Sequence, residues 1–115
     1  MLFRSYPELG ISLEIDSGKR VPANLEPLAQ SVLSEAILNA RKHAQPSRVS
    51  VSADRADNAF VLEVVNDGVS RGQQHHPGIG LRLAALEALH SGGVLEFGKR
   101  GPSTWQVRLV VPCDE

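Results

Sequence analysis

The sequence predicts a two-layer α/β sandwich, in which a mixed β-sheet carries its helices on one face. Short segments alternate apolar and polar residues with the period of two that half-buried strands require. Two longer segments repeat apolar residues at the three- and four-residue spacing of a helix. These segments follow in the order strand, helix, two strands, loop, helix, two strands, which favours one sheet with helices packed against it.

The first two elements are a short strand and a long helix. Apolar and polar residues alternate over residues 11–16, which predicts a strand. Residues 24–44 carry a continuous apolar stripe and predict a helix, with Asn24 as its N-cap. Pro27 falls in the first turn, where a missing N–H costs little, and Pro46 ends the helix.

The rest of the chain predicts two hairpins separated by a loop and a second helix. The segments are strands 49–53 and 60–66 around the turn 54–58, the loop 67–78, the helix 81–89, and strands 94–97 and 105–111 around the turn 98–104. Two glycines, Gly92 and Gly93, end the second helix. The loop is polar and unusually long, so we expect it to be functional or mobile.

Composition narrows the class of function before any motif is considered. The chain has 115 residues, and we expect one domain over residues 1–115. A net charge of −1 argues against a dedicated nucleic-acid binder. No apolar run approaches the roughly 18 residues of a membrane span, and no signal peptide is evident, so we expect a cytoplasmic domain without direct membrane contact. The single Cys113 excludes an intrachain disulfide and favours a reducing compartment.

A polar face on the first predicted helix carries the strongest candidate residues. Glu35, Asn39 and Lys42 lie at i, i+4 and i+7 and therefore share one face, with His43 next to Lys42. Carboxylate and amide oxygens suit Mg²⁺, which also keeps waters and nucleotide phosphates. A lysine can contact those phosphates as a point charge. The alternative is an ordinary solvated face opposite the apolar stripe.

Two glycine-containing segments flank the predicted loop. Asn-Asp-Gly at residues 66–68 ends a strand, where glycine lets a ligand approach the backbone, although the same residues are common in plain turns. Gly-Ile-Gly-Leu at residues 78–81 precedes the second helix, whose free N–H groups and dipole favour an anion. No Gly-Lys-Ser/Thr follows, so this is not a P-loop. The alternative for the second segment is a flexible hinge.

Together these segments resemble the ATP-binding catalytic domain of sensor histidine kinases. Residues 34–44, Ser-Glu-Ala-Ile-Leu-Asn-Ala-Arg-Lys-His-Ala, resemble the asparagine box of that family. Residues 66–68 and 78–81 resemble the two glycine boxes that follow it. The short loop between the glycine boxes and the leucine-rich second helix resemble the subfamily that acts on NarL-type response regulators. The resemblance spans residues 10–112.

The resemblance implies a Bergerat fold and a kinase that binds ATP and Mg²⁺ and donates the γ-phosphoryl group to a histidine on a separate dimerisation domain. It also implies roles for single residues: Asn39 and Glu35 for Mg²⁺, Glu35 further for a metal-bound water or proton movement, Lys42, His43 and Thr104 for the nucleotide, Gly68 for adenine, and Gly78, Gly80 and Leu81 for the phosphates.

Several positions depart from the family's pattern: Asn66, Ser70, the single Arg82 at the start of the second helix, and Ser103 before Thr104, where the family has Gly-Thr. The family has an aspartate two residues before the first glycine, where it accepts a hydrogen bond from adenine, and this chain has Asn66 there, followed by Asp67. Either the amide of Asn66 contacts adenine or Asp67 takes that role. Two other functions stay open: a non-catalytic nucleotide-binding or regulatory module of the same fold, which Asn66 and Ser70 suggest, and a serine kinase of the anti-sigma-factor type.

Overall fold

The computed structural model describes the backbone of residues 12–16 and the residues 21–69 and 79–112. Within these ranges lie five strands and two α-helices, namely β1 (Ser12–Asp16), α1 (Glu26–His43), β2 (Arg48–Ala56), β3 (Ala59–Asn66), α2 (Ile79–His90), β4 (Val94–Gly101) and β5 (Thr104–Pro112). Their order is the predicted one. Gly78, most of the predicted loop and Cys113 lie outside the described residues. Neither described helix combines the length and apolar character needed to cross a bilayer.

The strands form one mixed sheet with the order β1-β2-β3-β5-β4. β1 runs parallel to β2, and α1 supplies the crossover that a parallel connection requires. The other three pairings are antiparallel, so β2–β3 and β4–β5 are hairpins and β3–β5 joins them. The predicted mixed sheet is therefore confirmed.

The core lies on one face of this sheet, under both helices. Every second side chain of β3 and β5 is buried: Phe60, Leu62, Val64 and Asn66 on β3, and Trp105, Val107, Leu109 and Val111 on β5. α1 contacts β3 and β5, and α2 contacts β4 and α1. The opposite face is half-exposed and carries an ion pair between Arg108 Nε and Glu63 Oε2 at 3.2 Å. The predicted two-layer architecture is confirmed.

A stripe of small and branched side chains fixes the orientation of α1. Ala29, Val32, Leu33 and Ala36 are almost fully buried at three- and four-residue spacing. Each large apolar side chain contributes about 1.5–3 kcal/mol when it is fully buried. The stripe therefore determines which residues of α1 face the sheet and leaves the side that carries Glu35 turned towards α2.

Both hairpins are longer and their turns tighter than the sequence predicts. β2 and β3 pair as far as Ala56 and Ala59, so the turn is Asp57-Asn58 and not the whole of residues 54–58. Both turn residues have positive φ, at 53° and 61°. Two consecutive positive φ angles give a two-residue turn whose twist matches that of the strands, so pairing continues up to it. In the second hairpin, pairing likewise continues to Gly101 and Thr104.

The N-terminus of α1 corrects one prediction. A 3₁₀ turn, Ala23–Leu25, precedes the helix, and Leu25 rather than Asn24 occupies the N-cap position, without a side-chain cap. The N–H of Leu25 donates to the carbonyl of Pro22 at 2.9 Å. This 3₁₀ bond takes Asn24 into the turn and away from the capping position.

The ends of α2 give one correction and one confirmation. The helix begins at Ile79 rather than at residue 81, so Gly80 lies inside the first turn. At the other end Gly92 has a φ of 84°, and the N–H of Gly93 donates to the carbonyl of Ala88 at 2.8 Å. This is a Schellman cap, which confirms the predicted glycine end of the helix.

Candidate functional site

The polar face of α1 borders a cavity between the two helices. The cavity has a volume of about 220 Å³ and is lined by Glu35, Leu38, Asn39, Lys42 and His43 of α1 and by Ile79, Gly80 and Leu81 of α2. The structure thus brings the four polar candidates of α1 together with the described part of the second glycine segment. Typical small-molecule pockets measure about 300–1,000 Å³, so the cavity has the size for part of a nucleotide.

Asn39 is the most informative residue of the cavity. The residue is only 8% exposed, and no hydrogen bond joins its amide to another described residue. Asn39 combines low exposure with a place in the cavity lining, which favours a ligand over an ordinary solvated face.

Lys42 and His43 lie at the rim of the cavity in the last turn of α1. Lys42 is exposed and His43 is half-buried. With Arg41 they form a basic last turn, where positive charge stabilises the helix through its dipole. Of the two neighbouring cations Arg41 and Lys42, the second alone lines the cavity. Lys42 is therefore placed to contact an anionic group there.

Glu35 lies directly against the first turn of α2. A Cβ atom built on Gly80 would overlap Oε1 of Glu35 and would lie 3.2 Å from its Oε2. Next to this glycine, Leu81 is buried in the core and also lines the cavity. The start of α2 is thereby anchored, and its first turn borders the carboxylate.

Asp67 has a structural partner that the sequence did not suggest. Its Oδ1 accepts hydrogen bonds from the backbone N–H groups of Ser47 (2.8 Å) and Arg48 (3.1 Å), and its Oδ2 accepts one from Ser47 Oγ (2.6 Å). Burial raises the pKa of Asp67, but these hydrogen bonds outweigh it, so the pKa lies below its ordinary value. The carboxylate thus fastens the end of β3 to the start of β2.

Asn66 differs from Asp67 in having a side-chain oxygen that accepts no hydrogen bond from a described residue. The side chain is 3% exposed, and its Nδ2 donates to the backbone carbonyl of Asp67 at 2.8 Å. No described residue donates to its Oδ1. Of the two candidates for contacting adenine, Asn66 therefore has a free acceptor, whereas both carboxylate oxygens of Asp67 are engaged. The assignment itself stays a prediction.

Gly68 is required by the fold itself. It has a φ of 81°, and a Cβ atom built on it would overlap the carbonyl oxygen of Gln45 and lie 2.9 Å from the nitrogen of Pro46. The N–H of Gln45 donates to the carbonyl of Gly68 at 3.0 Å. The close approach that the glycine permits in this structure is therefore that of the backbone between α1 and β2. The predicted approach of adenine stays a prediction.

Thr104 lies apart from the other candidates. Trp105, its neighbour on β5, points into the core and pairs in register with Asn66. Because side chains alternate along a strand, Thr104 points to the opposite face of the sheet. The structure therefore does not bring Thr104 to the cavity, and Asn66 lies at the strand ends, outside the cavity lining.

The donor set of the cavity fits Mg²⁺ better than a transition metal. The described residues contain no group of three or more His, Cys, Asp and Glu side chains that could hold a metal ion. Mg²⁺ needs fewer protein ligands, because it keeps several waters and binds one or two carboxylates together with substrate phosphates. The carboxylate of Glu35 and the amide oxygen of Asn39 are hard donors of this kind on one cavity wall.

Comparison with known proteins shows similarity at the level of the fold. No protein-family model matches the sequence. The Acinetobacter baumannii histidine kinase AdeS aligns with a TM-score of 0.74 at 15% identity, covering 95% of this chain and 57% of that one. The histidine kinase domain of the Erythrobacter litoralis blue-light-activated kinase EL346 gives 0.71 at 20% identity, covering 90% and 52%. Full-length ShkA in complex with AMPPNP gives 0.72 at 19% identity, covering 92% and 26%.

The similarity covers most of this chain but only part of the compared proteins. The chain is covered almost end to end, but it spans only 26–57% of the length of these three structures. The mixed sheet with two helices on one face is therefore a fold that solved histidine kinase structures contain.

Proposed function

We propose that this chain is the ATP-binding catalytic domain of a two-component sensor histidine kinase, located in the cytoplasm. It would pass the γ-phosphoryl group of ATP to a histidine on a separate dimerisation domain, from which a NarL-type response regulator receives it. The observation that carries the proposal is the position of Asn39, a residue of low exposure whose amide has no partner among the described residues, in a cavity shared with Glu35 and Lys42. The fold shared with histidine kinases and the AMPPNP complex of ShkA support it.

The cavity residues divide the work of holding Mg-ATP. Asn39 and Glu35 would hold the metal ion, which supplies positive charge to the phosphates when bound. Lys42 adds a second positive charge at the cavity rim, and His43 stands beside it. The backbone of the first turn of α2 offers N–H groups, from Gly80 and Leu81, to phosphate oxygens.

The chain's own chemistry in this proposal is positioning. Phosphoryl transfer is accelerated mainly by alignment and by charge stabilisation, so no covalent bond to this domain is required. Oε1 and Oε2 of Glu35 can accept a proton or orient a water molecule beside the cavity. Asn66, with its free Oδ1, can accept a hydrogen bond from the adenine amino group.

Calorimetric titration of the chain with ATP and with ADP, with and without Mg²⁺, tests nucleotide binding. Asn39→Ala removes the buried amide, and we expect it to weaken Mg-ATP binding by about 1–3 kcal/mol. The control is Asn24→Ala, because Asn24 is an exposed asparagine near the start of α1, far along the helix from the cavity. If Asn39→Ala and Asn24→Ala bound Mg-ATP equally well, Asn39 would not be a ligand of the metal ion.

A second experiment addresses the transfer itself. The chain is incubated with γ-labelled ATP and a separate histidine-bearing dimerisation domain, and the labelled product is tested for stability in acid. Phosphohistidine is lost in acid, whereas phosphoserine is retained, so an acid-stable product would support the serine-kinase alternative. Nucleotide binding without any transfer would support a non-catalytic module, which the uncharged Asn66 at the family's aspartate position favours.

A further inference from the structure

The space beside the Cα of Gly80 is occupied by the side chain of Glu35. A Cβ atom on Gly80 would have Oε1, Cδ and Oε2 of Glu35 as its three nearest neighbours. No backbone atom is among them, so the obstacle is the far end of a flexible side chain. Glycine is also among the least favourable residues inside a helix, yet Gly80 lies in the first turn of α2. The helix therefore lacks a side chain at the one point where the carboxylate rests.

We propose that Gly80 is a positioning residue for Glu35: because it has no side chain, the carboxylate lies against the first turn of α2. A larger residue at position 80 would turn the carboxylate away from α2 without unfolding the domain. This inference rests on the proposed function for its consequence, although the contact itself does not.

The consequence is electrostatic. The N-terminal turn of a helix attracts negative charge, and in this structure the carboxylate of Glu35 borders that turn. A phosphate group drawn to the same turn meets a second anion there. The two negative groups are compatible only when a cation offsets their repulsion. The position of Glu35 therefore makes nucleotide binding depend on a divalent cation, and Gly80 sets that dependence.

The chain offers a matched control for the substitution. A Cβ atom built on Gly98 of β4 would meet nothing within 4 Å. Gly98→Ala therefore reports the general effect of adding a methyl group, whereas Gly80→Ala adds the displacement of Glu35. Glu35→Ala removes the displaced group, so Gly80→Ala in that background has nothing left to move.

A thermal-unfolding cycle without nucleotide tests the contact. We measure the wild-type chain, Gly80→Ala, Glu35→Ala, the double variant and Gly98→Ala. The expected result is that Gly80→Ala raises the melting temperature more in the Glu35→Ala background than in the wild-type chain. The reason is that the helix then gains a better helix former without losing a carboxylate contact. Equal effects in the two backgrounds would overturn the inference.

Titration with ATP in Mg²⁺ and in a chelator tests the consequence. The quantity compared is the dissociation constant of ATP in the chelator divided by that in Mg²⁺. We expect Gly80→Ala to reduce this ratio about tenfold, which is the low end of the effect of disturbing a group that orients a metal ligand. Gly98→Ala should leave the ratio unchanged, and Gly80→Ala should have no further effect once Glu35 is alanine. A ratio unaffected by Gly80→Ala overturns the inference while nucleotide binding stands. If the wild-type chain binds no nucleotide, the proposed function fails and the electrostatic consequence with it, while the unfolding cycle still decides the contact.

Discussion

At the scale of the residue, Asn66 and Asp67 are neighbours with different tasks. The Asp67 carboxylate accepts three hydrogen bonds from Ser47 and Arg48, whereas the Oδ1 of Asn66 accepts none from a described residue. The sequence could not separate them, because the bonds of Asp67 reach a serine 20 residues earlier in the chain. No local pattern marks such a pair, and it became visible only when β2 and β3 were placed side by side.

This division predicts which residue controls nucleotide preference. Asn66→Ala should abolish preference for ATP over GTP, since it removes the group that has a free acceptor for the adenine amino group. Asp67→Ala should leave the preference intact and lower stability instead. Competition titrations with the two nucleotides measure the preference. If the two variants exchange these effects, Asp67 contacts adenine, and if neither alters the preference, adenine binds elsewhere.

The hydrogen bonds that the Asp67 carboxylate accepts from Ser47 and Arg48 also predict a dependence of stability on pH. The folded-state pKa of Asp67 lies below its ordinary value, so the ionised form stabilises the fold. This contribution is fully present above the ordinary carboxyl pKa and is lost as the pH falls through the lower folded-state pKa. Asp67→Asn should lower the free energy of unfolding by about 1.5–3 kcal/mol at neutral pH, the contribution of a hydrogen bond to a charged group, and by less in acid.

Urea unfolding at neutral and acid pH measures this difference. The control is Asp57→Asn, because Asp57 lies exposed in the two-residue turn, where asparagine also adopts positive φ readily. A loss of stability for Asp67→Asn that is the same at both pH values would show that its charge does not stabilise the fold.

At the scale of the element, α2 is apolar on two opposite sides. Leu81, Ala84 and Ala88 face the core and are fully buried, whereas Leu83 and Leu86 on the other side are each 55% exposed. The periodic leucines predicted the helix correctly, but they could not indicate which of them face the sheet. That choice depends on α1 and β4, which α2 contacts.

Two substitutions on α2 separate its sides. Leu81→Ala should cost about 2–5 kcal/mol, because it leaves a cavity in a packed core. Leu83→Ala removes the same atoms from a largely exposed position and should change stability by no more than about 0.5 kcal/mol. Urea unfolding of both variants gives the comparison. Similar losses would mean that the described orientation of the helix is wrong.

The hairpins show why element types are easier to predict than element ends. The five strands and both helices of the described residues were predictable from the periodicity of the sequence. The β2–β3 turn was not, since Asp54, Arg55 and Ala56 are turn-like in composition yet pair with β3. The position of the turn is set by the positive φ angles of Asp57 and Asn58. Neither residue is a glycine, so the sequence does not mark these angles.

At the scale of the whole molecule, a bound nucleotide should stabilise the domain. A ligand at 100 times its dissociation constant adds about 2.7 kcal/mol to the free energy of unfolding, or about 10 °C in melting temperature for a domain of this size. We expect Mg-ATP to produce this shift and Asn39→Ala to reduce it, because the variant binds more weakly at the same nucleotide concentration. Thermal melts with Mg-ATP, and with ATP and a chelator, measure it. A wild-type melt unchanged by Mg-ATP would contradict the proposed function.

The pairing of β3 with β5 has a consequence for folding kinetics. Each hairpin joins strands that are neighbours in the chain, whereas β3 and β5 are separated by α2 and β4, and β1 reaches β2 across α1. Pairings between distant segments form slowly, because chain entropy must be lost before their contacts form. The cavity lies between α1, which packs on β3 and β5, and α2, which packs on β4, so we expect it to form only after β3 and β5 have joined. We therefore expect nucleotide to slow unfolding and to leave the refolding rate unchanged, as stopped-flow measurements with and without Mg-ATP can establish.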